Sequence, residues 1–307
     1  MVLIDQTLLP AQEKWLRITE VDGLVDCIQR LAVRGAPALG AAGALGVALA
    51  AARGDDVPAA AARLRTARPT AVNLARGVDR ALARLAGGPA AVLAAAQALL
   101  DEEAANGRAI GERGADLLGE LCPPGPLRLL THCNTGWLAA VEWGTALGVV
   151  AVLHERGRVA RVYADETRPL LQGARLTAYE LAQLGVDYRV VVDGAAPSLL
   201  ARGLVDAVLV GADRIAANGD VVNKIGTYPL SLAAARAGVP FLVAAPESTV
   251  DDGTPAGADV PIEERDPREV SPDGGPACNP AFDMTPHDLV TAIITDRRTI
   301  RPQESGR

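Results

Sequence analysis

The 307-residue chain lacks the cysteine patterns that mark disulfide scaffolds and structural zinc sites. Its four cysteines, Cys27, Cys122, Cys133 and Cys278, show neither CxxC spacing nor a tight framework, which fits a reducing compartment. Aromatic residues make up only 3% of the chain, although hydrophobic residues make up 49%. Because alanine supplies much of this apolar content, we expect closely packed helices built from small residues.

Concentrated basic charge and a leader sequence are also missing. The net charge is −7 and no run of basic residues occurs, which argues against a nucleic-acid-binding surface. Residues 1–6 show no charged segment followed by an apolar one, so no signal peptide is expected. Residues 35–52 are uncharged but mostly alanine and glycine, and we interpret them as a buried helix rather than a membrane span. The sequence thus predicts a soluble, cytoplasmic protein without nucleic-acid or membrane partners.

The hydrophobic pattern divides the chain at residue 126. Helical periodicity dominates the first part, with helices predicted at residues 22–33, 37–52, 72–85 and 89–121. Residues 123–126 read Pro-Pro-Gly-Pro, a segment that no helix accommodates. We therefore predict a helical N-terminal domain over residues 1–126 and a second domain over residues 127–307.

Beyond residue 126, runs rich in valine and leucine alternate with helical segments. Strands are predicted at residues 127–130, 158–164, 187–192, 205–210 and 240–244. Helices are predicted at residues 136–156, 168–184, 196–202, 229–237 and 286–295, and a frayed tail at 301–307. This alternation predicts βαβ units and an α/β fold with a mostly parallel sheet.

Polar segments follow two of these strands and indicate an active site. Residues 131–136, Thr-His-Cys-Asn-Thr-Gly, follow the strand at 127–130, and residues 211–213 with 223–227 follow the strand at 205–210. Because open α/β sheets bind ligands at the carboxyl ends of their strands, a thiol, a carboxylate and an amine are expected on one rim. This combination suggests an enzyme for a small anionic substrate.

Cys133 and Asp213 are the candidate reactive groups. Cys133 precedes a helix predicted to begin near Thr135, where free amide groups favour a thiolate. A small core residue is the alternative, but the core does not need polar neighbours such as His132. Asp213 ends an apolar strand, where desolvation would raise its pKa and suit an acid; a simple turn aspartate is the alternative.

Candidate phosphate-binding groups lie in three places. Residues 223–227, Asn-Lys-Ile-Gly-Thr, combine an amine, an amide and a hydroxyl ahead of a helix. Arg34 and Arg68 each lie at a turn into a predicted helix, where a planar fork of donors suits phosphate. Solvated surface charges are the alternative for all three.

Signatures of other chemistries are missing. One histidine beside one cysteine does not make a metal site, so no metal is expected at His132. GxGxxG, GxxxxGK[ST] and GxSxG patterns do not occur, so nucleotide cofactors and serine-hydrolase chemistry lack support.

Six motifs occupy residues 33–40, 68–73, 131–136, 165–176, 211–228 and 279–286. Together they resemble the methylthioribose-1-phosphate isomerase family. They run in order through nearly the whole chain and are long and specific, unlike a lone glycine fingerprint. The wider superfamily includes ribose-1,5-bisphosphate isomerases and regulatory subunits of the exchange complex that serves translation initiation.

The resemblance implies a helical N-terminal domain and a Rossmann-like C-terminal domain that dimerises. It implies conversion of 5-methylthioribose 1-phosphate to 5-methylthioribulose 1-phosphate in methionine salvage, without a cofactor. Cys133 and Asp213 match the family's catalytic pair. The matching substrate-binding positions are Arg34, Gly35, Ala36, Arg68, Gln172, Asn223 and Lys224.

The chemistry leaves two routes open. Phosphate blocks the anomeric carbon, so the ring must open with the phosphate attached. Asp213 would protonate the ring oxygen while Cys133 acts at C2 through an enol-type intermediate, and direct hydride transfer from C2 to C1 is the alternative. Neither route needs a metal or nicotinamide.

Two departures from the family pattern bear on the substrate. The family carries an extra segment before residues 3–7, which implies an upstream start codon or a different cover over the site. It also places tryptophan after the Asn-Leu pair, where residues 73–76 read Asn-Leu-Ala-Arg. If Arg76 faced the 5-substituent, it would favour ribose 1,5-bisphosphate as the substrate. We prefer the alternative, in which Arg76 points to solvent. 5-Deoxyribose 1-phosphate is a third candidate substrate, and a non-catalytic subunit that senses sugar phosphates or nucleotides is a second candidate function.

Overall fold

The computed structural model describes residues 1–68 and 71–302. Its contacts group into two compact units. The first unit comprises Met1–Ala105 and Trp137–Gly144, and the second comprises Asn106–Gly136 and Thr145–Arg307. Pro69 and Thr70 of the 68–73 motif, and residues 303–307 of the expected tail, lie outside the described residues.

The first unit is mainly helical, as the sequence predicts. Its elements are β1 (Val2–Ile4), β2 (Trp15–Arg17), α1 (Val21–Gln29), α2 (Ala36–Arg53), α3 (Val57–Thr66), α4 (Val72–Leu82) and the first half of α5 (Gly88–Leu121). The antiparallel pair β1 and β2 was not predicted, because each strand has only three residues. The helix α3 was also missed.

The small-residue helix α2 packs closely on α4. A Cβ built at Gly77 would lie 2.0 Å from the carbonyl oxygen of Gly40, so the two backbones touch where no side chain fits. Both α2 and the segment Val72–Leu121 are long and apolar enough to cross a membrane by length and composition. In α2, however, 61% of the apolar stretch is buried, as expected of a core helix.

The helix α5 contributes to both units. Ile110, Leu117 and Leu118 in its second half are buried in one cluster with Leu127 and Leu129 of the following strand. Residues 106–121 therefore group with the sheet by packing, whereas the sequence places the junction at residue 126.

The second unit contains a seven-stranded sheet and the helices that connect its strands. The elements are β3 (Leu127–Thr131), α6 (Ala146–Glu155), β4 (Val159–Asp165), α7 (Ala178–Gln183), β5 (Tyr188–Val191), α8 (Ala196–Ala201), β6 (Ala207–Val210), α9 (Thr227–Ala237), β9 (Phe241–Ala244), β12 (Ala292–Ile294) and β13 (Thr299–Ile300). The strand order is β5-β4-β3-β6-β9-β12-β13. Neighbouring strands are parallel except the antiparallel pair β12 and β13.

The strand order reverses between β3 and β6. From β3 the chain proceeds to β4 and β5 on one side, then returns to β6, β9 and β12 on the other. This is the doubly wound arrangement of a Rossmann-like fold, which confirms the predicted fold class. Ligands bind outside the carboxyl ends of the strands at such a reversal, which here follows Thr131 and Val210.

A small second sheet follows β6. Its strands are β7 (Arg214–Ala216), β8 (Val221–Lys224), β10 (Val250–Asp251) and β11 (Phe282–Thr285), in the order β10-β7-β8-β11. Gly219, at φ 88°, turns β7 into β8 within the sequence Asn218-Gly219, which is typical of a hairpin turn. In the antiparallel pair β8 and β11, Asp283 lies opposite Asn223.

Three predicted helices are wrong in extent or type. The helix expected over 168–184 begins only at residue 172 and is a π-helix over Gly173–Thr177 before α7. The helix expected over 136–156 spans only Ala146–Glu155, because residues 137–144 are irregular and belong to the first unit. Residues 286–295 form a short 3₁₀ turn, His287–Leu289, and the strand β12. The β-branched run from Val290 to Thr295 favours that strand over a helix.

Candidate active site

Four segments of the second unit meet at the carboxyl end of β3. A Cβ at Gly211 would lie 2.5 Å from Thr135, and one at Gly226 would lie 2.8 Å from the ring of His132. The turn after β4 joins them, because the Thr167 hydroxyl oxygen accepts from the backbone N–H of Cys133 at 2.9 Å. The structure thus brings together residues 131–136, 211–213 and 223–227, with residues 165–172 beside them.

Cys133 occupies a strained backbone conformation at this point. Its φ is 64°, in the left-handed region, which costs a residue with a Cβ about 1–2 kcal/mol. Two threonines hold it there: Thr167 accepts from its N–H, and the Thr177 hydroxyl donates to its carbonyl at 2.6 Å. The side chain is buried, with 7% exposure. Strain held by the surroundings in this way is typical of functional residues.

Asn134 and Glu180 support this turn from beneath. The buried Asn134 amide donates to the Glu180 carboxylate at 2.7 Å. A Cβ at Gly136 would lie 1.8 Å from the same carboxylate, so only glycine lets Glu180 approach the turn so closely. Glu180 is therefore fixed by both ends of the segment that follows Cys133.

His132 and Asp165 form a fully buried pair. The Nδ1 of His132 lies 2.9 Å from Oδ2 of Asp165, and its Nε2 lies 2.8 Å from the Ile225 carbonyl oxygen. Burial opposes protonation most strongly, but the hydrogen bonds to Asp165 and Ile225 and the Asp165 charge together raise the pKa of His132. Burial also raises the pKa of Asp165, and the hydrogen bond from His132 opposes that shift.

The pair belongs to a group of three residues whose side chains are of the types that bind metal ions. His132, Asp165 and Asp193 each offer one ligand atom, and these atoms lie within 4.8 Å of one another. Hydrogen bonds already engage all three residues, since Asp193 accepts from the backbone N–H of Thr167 and of Arg168. A metal would have to displace the hydrogen bond between His132 and Asp165.

Asn223 and Lys224 are buried at the end of β8, so the surface alternative does not describe them. The Asn223 amide donates to the Thr227 hydroxyl at 3.0 Å. The Lys224 ammonium donates to the Ala281 carbonyl at 2.8 Å and lies 4.5 Å from the centre of the Phe282 ring. A buried amide and ammonium just before α9 suit an anionic ligand.

Asp213 and Gln172 differ in exposure. The expected apolar setting of Asp213 is wrong, because its side chain is exposed where the chain leaves β6 for the small sheet. Its backbone N–H donates to the Val222 carbonyl at 3.0 Å. Gln172 is buried, and its Oε1 has no hydrogen-bond partner among residues 1–68 and 71–302. A buried unpartnered acceptor is an uncommon feature that suits a ligand-binding position.

The remaining predicted binding residues belong to the first unit. Arg34, Gly35 and Ala36 form the entry to α2, and Arg34 is half-buried. Only glycine fits at position 35, because the φ there is 97° and a Cβ would lie 2.3 Å from the Ala139 carbonyl oxygen. Arg68 is half-buried after α3, and Arg76 is exposed on α4.

Sequence reasoning missed several residues that build the site. Asp283 accepts from the backbone N–H of Gly226 at 2.7 Å, and burial raises its pKa against that hydrogen bond. Thr167 and Thr177, which hold Cys133, were also overlooked. Asp283 lies in the 279–286 motif and Thr167 in the 165–176 motif, so the signal was present without an assigned role.

The model of the Initiation factor 2 subunit family matches residues 32–302, most of the chain. The chain belongs to this family.

Relatives of this family member carry isomerase names. A methylthioribose-1-phosphate isomerase of Anaeromyxobacter sp. (strain K) is 52% identical and covers 99% of this chain and 92% of its own length. A 5-deoxyribose 1-phosphate isomerase of Moorella thermoacetica is 49% identical over 98% and 91%. The match to a probable bifunctional methylthioribose-1-phosphate isomerase/methylthioribulose-1-phosphate dehydratase of Nocardia farcinica, at 51% identity, covers 98% of this chain and 57% of that longer protein.

Solved structures with a similar fold carry isomerase and initiation-factor names. The 5-methylthioribose 1-phosphate isomerase of Pyrococcus horikoshii superposes with a TM-score of 0.90 at 40% identity, covering 98% of this chain and 90% of that one. The translation initiation factor eIF-2B subunit delta from A. fulgidus gives 0.87 at 42% identity, covering 99% and 94%. The resemblance drawn from the sequence motifs is therefore confirmed.

Proposed function

We propose that the chain is an aldose–ketose isomerase that converts 5-methylthioribose 1-phosphate to 5-methylthioribulose 1-phosphate in methionine salvage. Relatives named for this activity match it over nearly their whole length. The observation that carries the proposal is the strand-end site: Cys133 is held in a left-handed conformation, and the segment of the buried Asn223 and Lys224 contacts the neighbouring His132. These groups suit a reactive step on a small phosphorylated substrate.

The proposed reaction begins with ring opening. Asp213 donates a proton to the ring oxygen, and the bond between C1 and that oxygen breaks while the phosphate stays on C1. Cys133 removes the proton from C2 to give an enol and, after its thiol exchanges with solvent, delivers a proton to C1, while the C2 hydroxyl loses its proton to Asp213. The exposed carboxylate of Asp213 can exchange its proton with water between turnovers. Hydride transfer from C2 to C1 is the alternative route.

We propose substrate-binding roles for the residues that match the family's binding positions, taken unit by unit. In the second unit, Lys224 supplies a positive charge, and Asn223 and Gln172 supply amides for sugar hydroxyls. In the first unit, the guanidinium groups of Arg34 and Arg68 suit phosphate. Gly35 and Ala36 offer backbone N–H groups at the start of α2.

The 5-substituent distinguishes the alternative substrates. 5-Deoxyribose 1-phosphate differs only there, and the relative from Moorella thermoacetica is named for it. Ribose 1,5-bisphosphate would need a cation near C5, for which Arg76 is the candidate. The exposed position of Arg76 on α4 favours a solvent role instead.

A regulatory subunit that binds sugar phosphates or nucleotides without turnover is the second candidate function. The likeness to the A. fulgidus protein named as an initiation-factor subunit favours it. A pure binding module, however, needs neither the strained Cys133 nor an acid at Asp213. Binding without product formation by the wild-type protein would support the regulatory function.

Product formation by the purified protein tests the proposal. Phosphorus and carbon NMR would follow 5-methylthioribose 1-phosphate, 5-deoxyribose 1-phosphate and ribose 1,5-bisphosphate in parallel. We expect a C2 ketone signal from the methylthio sugar. Selective turnover of another sugar would reassign the substrate, and turnover of none would exclude the isomerase.

We further infer that the protein is a cytoplasmic homodimer. The inference follows from the family resemblance and from the cysteine pattern, which fits a reducing compartment. Light scattering on the purified chain should give about twice the 31.7 kDa chain mass. A monomer at micromolar concentration would contradict it.

A further inference from the structure

One peptide group of the second unit is held from both sides. Its oxygen, the Ile225 carbonyl, lies 2.8 Å from Nε2 of His132. Its N–H, on Gly226, donates to Asp283 Oδ2 at 2.7 Å. The peptide lies between Asn223–Lys224 and the first residue of α9, so the contacts fix the end of the proposed substrate-binding segment.

The partners of His132 place one proton on Nε2 and favour a second on Nδ1. A carbonyl oxygen only accepts, so Nε2 must carry a proton to bond Ile225. Three carboxylates face the ring: Asp165 by direct contact at Nδ1, and Asp193 and Asp283 through their charge. A second proton on Nδ1 gives an imidazolium that bonds both partners and offsets this negative charge. The raised pKa of His132 agrees with that state.

His132 also lies beside the proposed catalytic residue in the chain. Its ring contacts Gly226, where a Cβ would approach Cε1 to 2.8 Å, so nothing larger than hydrogen separates ring and peptide. The next residue, Cys133, is held independently by Thr167 and Thr177. The histidine therefore joins the turn bearing Cys133 to the segment bearing Asn223 and Lys224.

We propose that His132 is a positioning residue: as a buried imidazolium between Asp165 and the Ile225 carbonyl, it fixes the Asn223–Lys224 segment relative to Cys133. This inference rests on the proposed function of the site. It predicts that His132 acts on substrate binding through the 225–226 peptide rather than by touching the substrate.

Two amide variants, each of which reproduces the position of one ring nitrogen, separate this role from a general structural one. In His132→Gln, the amide nitrogen can reach the place of Nε2 and donate to Ile225. In His132→Asn, the amide reaches only the place of Nδ1 and contacts Asp165. We expect His132→Asn to raise KM, and the Kd for 5-methylthioribose 1-phosphate by calorimetry, about 10- to 100-fold, as for a lost hydrogen bond from a charged group. The KM and Kd of His132→Gln should stay several-fold closer to the wild-type values, even where its free energy of unfolding is equal to or lower than that of His132→Asn.

Nitrogen NMR tests the imidazolium without substrate. The chain has three histidines, and His154→Asn and His287→Asn assign the other two signals. Both ring nitrogens of His132 should carry a proton at pH 7, above the usual histidine pKa of about 6.5. One unprotonated ring nitrogen at pH 7 would overturn the proposal, as would equal KM and Kd changes in the Gln and Asn variants.

The outcomes distinguish this inference from the isomerase proposal. If the wild-type protein binds the sugar phosphate without turnover, the isomerase fails and the Kd values still decide the role of His132. If it does not bind the sugar, the isomerase proposal and the positioning role both fail. A doubly protonated ring would then show only that His132 is a structural residue.

Discussion

Gly226→Ala should destabilise the second unit through a specific collision. Gly226 has a φ of 104°, where a residue with a Cβ is strained by about 1–2 kcal/mol. The new Cβ would also lie 2.8 Å from Cε1 and 3.0 Å from Nε2 of His132. His132 cannot turn aside, because Asp165 and Ile225 hold both its nitrogens. Overpacking of this kind costs about 1–3 kcal/mol, so we expect a total loss of about 2–5 kcal/mol.

Gly238→Ala is the matched control at the other end of the same helix. Gly238 ends α9 with a φ of 68°, and a Cβ there would meet no atom within 4 Å among the residues that the structure describes. This variant should lose only the backbone contribution, about 1–2 kcal/mol. The difference between the two variants isolates the contact with His132.

Urea unfolding followed by circular dichroism gives both free energies of unfolding. Gly226→Ala should also raise KM, because the 225–226 peptide shifts, whereas Gly238→Ala should leave KM unchanged. Equal losses of stability in the two variants would refute the collision. An unchanged KM in Gly226→Ala would refute the link between this peptide and binding.

Three further predictions concern stability, chemistry and specificity. Asp206→Asn should cost about 1–2 kcal/mol, because Asp206 accepts from the side chain and backbone of the partly exposed Arg128. The hydrogen bonds from Arg128 lower the pKa of Asp206 in the folded protein. Its contribution to the free energy of unfolding is therefore present above the unfolded-state pKa of about 3.9 and is lost as pH falls through the lower folded-state pKa. The free energies of unfolding of wild type and variant, measured in urea, should converge in acid. Turnover in deuterium oxide should place solvent deuterium at C1, detected by NMR, if Cys133 acts through an enol; a product without deuterium would favour hydride transfer. Arg76→Gln should leave the ratio of kcat/KM for the methylthio and bisphosphate sugars within about twofold, since Arg76 is exposed, and a larger change would make it a specificity residue.

The parallel sheet was predictable because its strands are buried on both faces. Runs such as residues 205–210 are apolar almost without interruption, and helical segments separate them along the chain. The small sheet was not predictable, because its strands have two to four residues and β11 pairs with β8 from far along the chain, in the register of Phe282 with Lys224. The mistaken helix over residues 136–156 shows the same limit, since segment 137–144 packs by tertiary contacts within the first unit.

The site was predictable at the level of segments rather than contacts. Strand ends place polar residues on one rim, so residues 131–136 and 223–227 could be chosen from the sequence alone. The roles of His132, Asp283 and Thr167 depend on partners 33 to 93 residues away, which no local pattern specifies. The exposure of Asp213 was likewise set by the small sheet that the sequence did not reveal.

The most direct test of the account compares wild type with Cys133→Ser and Asp213→Asn on 5-methylthioribose 1-phosphate. Carbon NMR would follow ketone formation at C2, and calorimetry would measure binding of the same sugar. The account predicts ketone formation by the wild type, and binding without product by both variants. Product formation at the wild-type rate by Cys133→Ser would contradict it, because the thiol could then not be the group that acts at C2.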